Sequence, residues 1–308
     1  MRSVMDGSVA RPRPMLALGI RLVTAVVFAT MAMLVKLASE RGVHLVEMIF
    51  WRQAVTVALI GVGLGLFGKL ASLRTKRLGG HAVRAVLGGI GMFFTYGAVV
   101  LLPLAEATTL SYTAPFFAVM IAVTFFGERV GLYRWAAVAM GFAGVLVIMQ
   151  PGSGSEDVTM AGVVVALIAA AMVALISYQV QDLNKTESPW TIIFWFTALT
   201  APLLLIAMPF FSQSHDHETW LVIIAMALCG ALAQILLTSS LRFGSAGVVL
   251  LMDYTSLLWA TWYGFTIFDR APSASLWFGA PLIIGAGLLI AYRERALAKR
   301  KTSAEAAS

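Results

Sequence analysis

Apolar runs of about 20 residues, each closed by a short cluster of charges, prolines or glycines, follow one another along almost all of the 308 residues. At ~1.5 Å per residue a helical run of that length crosses the ~30 Å hydrocarbon core of a bilayer, where a helix satisfies its own backbone. The pattern predicts helices over about 15–37, 45–67, 82–102, 104–126, 135–150, 159–180, 190–211, 219–240, 246–268 and 273–292. The fifth run is the shortest, and it spans if Tyr133–Arg134 and Gln150 complete its ends. The longest polar connections are Gly68–Arg84, Pro151–Val158, Gln181–Ser188 and Ser212–Glu218, so no stretch is left for a globular domain. A tail over 1–14 precedes the first run and a basic tail over 293–308 follows the last. Arg2, Arg11 and Arg13 before an apolar run imitate a signal peptide, but the run reaches Leu37 and more spans follow, so it reads as an uncleaved first helix.

Sliding the chain on itself reveals a repeat with an offset of about 142 residues. It pairs Gly88 with Gly230, Tyr112-Thr113 with Tyr254-Thr255, Ala118 with Ala260, Thr124 with Thr266, Phe126 with Phe268 and Trp135 with Trp277. With two residues more of offset, Ile49-Phe50-Trp51 falls on Ile193-Phe194-Trp195. Each copy holds five crossings, an odd number, so the second enters from the opposite face. The expected fold is an all-α integral membrane protein of ten transmembrane helices in two inverted five-helix repeats, 15–150 and 159–292 joined by 151–158, an architecture of alternating-access transporters.

Composition fits a membrane protein, since 12% charged residues is about half of what a soluble domain carries. The formal charge of +7 does not indicate nucleic acid, because the basic residues lie between apolar runs and form no single patch. They set topology instead. With the N-terminus in the cytoplasm, seventeen Lys/Arg face inside, counting Arg84 in the Gly68–Arg84 connection, and only Arg41 and Arg270 face outside. That predicts the bacterial inner membrane with both termini inside. The single cysteine, Cys229, excludes a disulfide framework and a cysteine-pair zinc site.

The segment Pro103-Leu-Ala-Glu-Ala-Thr-Thr-Leu-Ser-Tyr-Thr-Ala-Pro115, with Phe126-Gly-Glu-Arg129, Trp135 and Gly141-Phe-Ala-Gly144, resembles the first half of an EamA-type member of the drug/metabolite transporter superfamily. Met252-Asp-Tyr-Thr-Ser-Leu-Leu-Trp-Ala260, Phe268-Asp-Arg-Ala-Pro272, Gly285 and Gly287 resemble the second half. The resemblance runs from about Leu16 to Tyr292. It implies a cavity between the repeats and transport driven by a gradient, with metabolites such as S-adenosylmethionine or riboflavin among the family's cargoes and both importers and exporters among its members. The family's Phe-Gly-Glu signature is shortened to Phe268-Asp269 in the second copy, with Asp269 taken as the counterpart of Glu128.

Arg52 lies about seven residues inside the second run, where a permanent charge must face a cavity or an acid. It can bind an anionic group of a substrate, or form an ion pair with Glu47 or Glu106. Asp253, deep in the ninth run, is a candidate for proton coupling or cation binding, or a packing residue. Tyr112 and Tyr254 are repeat-related and should meet near the axis; Tyr96, Gln234 and Ser111 are further cavity candidates. Glu106 reads as a cap on the fourth helix. Glu128 and Asp269 close helices four and nine beside arginines. Pro115 kinks the fourth helix, and since its counterpart is Leu257 the kink is expected on one side only. His215-Asp-His217-Glu218 reads as a solvated loop rather than a metal site.

Gly63-Leu-Gly-Leu-Phe-Gly-Lys69 fits a phosphate-loop spacing, but Leu70 stands where Ser or Thr would hold magnesium and no strand precedes it. No cofactor is expected. The predicted partners are a small-molecule substrate, protons or another coupling ion, and the lipid bilayer, with homodimerisation left open. The competing functions are a non-transporting scaffold or receptor and an enzyme on lipid-linked substrates, which needs a cluster of acids or histidines at one membrane face.

Overall fold

In the computed structural model, residues 14–127, 131–149, 158–243 and 253–305 are described. Glu128 and most of the 151–158 connection lie outside them, as does the start of the ninth run, 246–252. Among the described residues there are eleven helices and no strand: α1 Pro14–Glu40, α2 Leu45–Leu66, α3 Leu78–Leu101, α4 Leu104–Ser111, α5 Ala114–Phe126, α6 Leu132–Met149, α7 Met160–Leu183, α8 Pro189–Phe211, α9 His217–Phe243, α10 Ser256–Phe268 and α11 Ala274–Glu305. Eight stretches are long and apolar enough to cross a membrane, with α4 and α5 together making one of them. The shorter Trp135–Met149 and α10 bring the crossing segments to the ten expected.

Local chemistry sets the ends. His44 Nδ1 accepts from the N–H of Val46 to start α2, Thr159 Oγ1 from Gly162 to start α7, and Ser188 Oγ from Thr191 to start α8, where Pro189 takes a position whose N–H needs no partner. At the second connection the sequence reading was corrected. Because α3 begins at Leu78, His81 and Arg84 belong to a membrane helix and are buried, not part of a loop.

The helices pair as a two-fold arrangement requires. Exchanging each crossing segment for the one five further on turns the α1–α9 contact into α7–α3, and the α5–α7 contact into α10–α1. The α2–α8 and α6–α11 contacts map onto themselves. Large apolar side chains such as Phe125, Phe210, Trp277 and Phe278 stand outward. In water they would be a liability; against lipid they are the solvent-matched surface.

Lipid removes the hydrophobic drive between helices, so close backbone approach replaces it. The tightest contact joins α6 to α11, where a Cβ on Gly144 would stand 2.8 Å from the carbonyl oxygen of Gly279. Gly144→Leu must push the two helices apart, and is expected to destabilise the protein by about 1–3 kcal/mol or more, read as a lower thermal midpoint in detergent. Gly63, with nothing near its would-be Cβ, is the control: Gly63→Ala should change stability by no more than about 1 kcal/mol. Equal losses at the two positions would contradict the close α6–α11 contact.

Candidate functional site

The fourth segment breaks at Tyr112-Thr113, and the ninth carries a turn at the same repeat position, Tyr254-Thr255. In the first copy Pro115 has no N–H to return to the carbonyl of Ser111, so α4 stops; the N–H groups of Tyr112 and Thr113 turn back to the carbonyls of Thr109 and Leu110, each at 3.1 Å. In the second copy no proline is present, yet α10 starts after a matching turn. There Ser256 Oγ donates to the carbonyl of Asp253 at 2.7 Å and the N–H of Leu257 turns back to Tyr254. The expectation of a one-sided kink is therefore overturned: a hydroxyl competing for the backbone does in one repeat what a missing donor does in the other.

The breaks bring Tyr112 and Tyr254 into edge-to-face contact, with ring centroids 4.8 Å apart. Tyr112 Oη shares a hydrogen bond of 2.7 Å with Ser256 Oγ and donates to the carbonyl of Asp253. Tyr254 Oη fills the space against Gly287 that a Cβ would need. Asp253 thus stands beside the tyrosine pair. Ser111 is exposed, and its hydroxyl is spent on the carbonyl of Thr108.

Arg52, on α2, is 7% exposed. Its Nη1 donates to Gln53 Oε1 at 3.3 Å and to Met92 Sδ at 3.1 Å, and its Nη2 to Gln234 Oε1 at 3.5 Å. Met92 and Gln234 are counterparts at the repeat offset, so the guanidinium touches the same position of both repeats and lies at their axis. Gly230 gives the side chain room, since a Cβ there would stand 2.7 Å from Arg52 Nε. Arg52 Nε, Gln53 Nε2 and Trp51 Nε1 are buried and have no hydrogen-bond partner among the described residues.

Neither acid considered for Arg52 serves it. Glu47 is fully buried and takes His215 Nε2 at 3.0 Å and Ser212 Oγ at 3.4 Å. Glu106 is buried too, with Oε1 accepting from the N–H of Ser273, so it ties α4 to the loop before α11 rather than only capping its own helix. Among the described residues no carboxylate pairs with Arg52. His215 is no solvated loop residue: it packs edge-on to Trp220, which in turn meets Trp51. No local spacing could have linked it to Glu47.

Tyr96 is buried one turn beyond Met92 and points at Met31 Sδ, so it belongs to the packing against α1 and is not gathered with the tyrosine pair. Lys36 is buried on α1, donating to the carbonyls of Leu102 at 2.7 Å and Val99 at 3.2 Å, where the C-terminal end of α3 attracts a cation. Sequence reading also missed the inward side of Arg84, which lies with its guanidinium 4.1 Å from the ring centroid of Phe196. A His and an Arg three apart at the head of an apolar run were the available signal.

Among the described residues two exposed ion pairs link the repeats, and Lys185 adds a third contact, to Asp182, within its own turn. At one end of the bundle Arg41, just after α1, meets Glu218 at the start of α9 at 3.3 Å; at the other Asp182, at the end of α7, meets Arg77, just before α3, at 2.6 Å. Each joins the first helix of one repeat to the third of the other.

A sequence profile of the EamA-like transporter family matches residues 15–150 and matches again over 160–292. The chain belongs to the EamA-like transporter family. Membership makes it a membrane transporter of the drug/metabolite type rather than an enzyme. It is 34% identical to a riboflavin transporter of Rhizobium johnstonii over 73% of this chain and 74% of that one. It is 26% identical to an S-adenosylmethionine uptake transporter of Rickettsia bellii over 84% of this chain and 87% of its relative. A crystal structure that covers 92% of this chain and 99% of its own, with a TM-score of 0.62 at 21% identity, shares the fold.

One feature of the EamA-like signature is corrected by the backbone. Asp269 ends α10 with φ of 51°, and Gly127 ends α5 with φ of 62°; their N–H groups return to the counterparts Gly264 and Ala122. Asp269 therefore holds the left-handed cap of Gly127 and is no counterpart of Glu128, whose place falls to Arg270. Asp is among the few non-glycine residues that tolerate that conformation.

Proposed function

We propose that this EamA-like transporter is a secondary, gradient-driven carrier of a small organic anion, with Arg52 as the contact to the anionic group. The observation that carries this is a buried guanidinium on the repeat axis, touching Met92 and Gln234 and no carboxylate among the described residues. A charge held that way costs several kcal/mol unless an opposite charge arrives. A carboxylate or phosphate of the cargo supplies it, and the planar fork of donors favours two-point binding.

The repeats 15–150 and 159–292 are then the two bodies that rock against each other, with Tyr112 and Tyr254 closing the cavity where the broken segments cross. Asp253 beside them is the proton-coupling group. Riboflavin and S-adenosylmethionine, taken from the names of relatives, are assayed beside the anions as the competing solutes, since riboflavin carries no anionic group and S-adenosylmethionine is a net cation. Purified protein in proteoliposomes with an imposed pH gradient should accumulate at least one anionic metabolite from a mixed extract, followed by mass spectrometry. Movement of no solute would sink the carrier and leave a scaffold or receptor.

The proposed setting is the bacterial inner membrane with both termini in the cytoplasm. With Arg84 inside α3, the seventeen inward basic residues become sixteen against Arg41 and Arg270, and the bias is intact. Reporter fusions at residue 155 and at the C-terminus should report opposite faces. The same face for both would refute ten crossings in this orientation.

A further inference from the structure

Arg84 and His81 are not used by any role given so far, and their burial is expensive. His81 is fully buried with neither ring nitrogen hydrogen-bonded within the described residues. Arg84 is 9% exposed, and its Nε and Nη1 lack partners in the same sense. The guanidinium carbon stands over the ring of Phe196, 4.1 Å from its centroid, a contact that holds the charge without using any of its N–H donors. Gly88, one turn further along α3, makes room for the guanidinium itself: a Cβ there would collide with Arg84 Nη1 and the Phe196 ring.

The pseudo-two-fold arrangement shows that the fold does not require these charges. Arg52 on α2 corresponds to Phe196 on α8, and Gly230 to Gly88. Arg84 and His81 correspond to Met226 and Ile223 on α9, both fully buried in an apolar cluster. The same interface is therefore built once with an apolar pair and once with a histidine and an arginine. Arg84 and Met92, the residue that Arg52 touches, are on one helix about 12 Å apart at 1.5 Å per residue, and both arginine side chains reach into that interval, near enough for their charges to repel. No acid among the described residues is paired with either guanidinium, and Glu187, whose charge reaches His81, is engaged by Thr75 Oγ1 at 2.6 Å.

From this we infer that Arg84, with His81, forms a second anion subsite beside Arg52, and that the cargo is an organic anion with two negative groups, of the dicarboxylate class. This rests on Arg52 being a substrate contact. One carboxylate lies against Arg52 and the other takes the unpartnered donors of Arg84, and the two together offset two buried positive charges that repel each other when no anion is bound.

The test uses the detergent-purified full chain, with glutarate as dianion and butyrate as matched monoanion, and reads the ligand-dependent rise in thermal midpoint as an apparent affinity. Glutarate should bind the wild type at least about tenfold more tightly than butyrate, as expected of one added charge-assisted contact. Arg84→Met should erase that advantage, bringing glutarate and butyrate to the same affinity, while Arg84→Lys keeps part of it. Methionine already fills the counterpart position, so Arg84→Met should fold with a midpoint no lower than wild type, which the same scan records. Equal affinity of wild type for the two acids, or a glutarate advantage that survives Arg84→Met, overturns the second subsite while leaving Arg52 as an anion contact. Protection by both acids that persists in Arg52→Ala, or no protection of wild type by either, overturns the Arg52 reading and this one with it.

Discussion

Replacing Arg52 by lysine or alanine should lower the initial rate of cargo movement by about 100-fold, with the protein present in the membrane at normal amounts. The size follows from losing a charge-assisted, two-point contact of about 3 kcal/mol in a water-poor site. Lysine keeps the charge but offers a compact ammonium on a flexible stem, and it cannot reproduce the fork that meets Met92 and Gln234 together. A structural ion pair would make the opposite prediction, since cutting one partner out of a buried pair destabilises and depletes the protein. Because no carboxylate among the described residues faces Arg52, removing the charge should instead leave stability unchanged or raise it. Arg52→Met therefore should melt no lower than wild type while transporting poorly. Normal flux through Arg52→Lys at normal abundance would remove the forked contact from the mechanism.

Asp253→Asn should abolish accumulation against a gradient and retain exchange of cargo across the membrane. Asp253 opens the turn before α10, its carbonyl already engaged by Tyr112 and Ser256, so its backbone is held at the point where the two broken segments meet. A carboxyl at such depth costs a few kcal/mol when ionised, and a cycle that changes its hydration changes its protonation. Asparagine fixes the charge at zero and keeps the shape. With one proton coupled per cargo, wild-type proteoliposomes can accumulate up to about tenfold per pH unit, and the variant should show no excess of internal over external cargo while still exchanging labelled for unlabelled solute. Equal accumulation by variant and wild type would show that Asp253 is not the coupling group.

What could be read from the chain was what repeats or runs. Apolar stretches gave the crossings because lipid imposes one length on each of them, and the constant offset placed Tyr112 and Tyr254 at equivalent positions that a two-fold axis must bring together. Side chains whose surroundings come from distant segments were not legible. Glu47 and His215 meet across most of the chain. Arg84 and His81 sit at the head of a helix, where charges lower the apparent hydropathy and move the predicted boundary outward; only the face of Phe196, from another helix, shows that they turn inward. The left-handed cap at Asp269 was hidden for a different reason, since aligning acid with acid looks better on paper than aligning Asp269 with Gly127.

The two exposed ion pairs carry their charges in opposite order, arginine on the first helix's side with Arg41 and Glu218, and on the third helix's side with Arg77 and Asp182. Solvent-exposed pairs contribute little, so each is a weak latch, the one at Asp182 being the better furnished because Lys185 also reaches that carboxylate. Salt weakens them together. If the carrier alternates its access as proposed, the bundle has a weak latch at each end, and the tilt between them is left to the cargo at the centre and the gradient across the membrane.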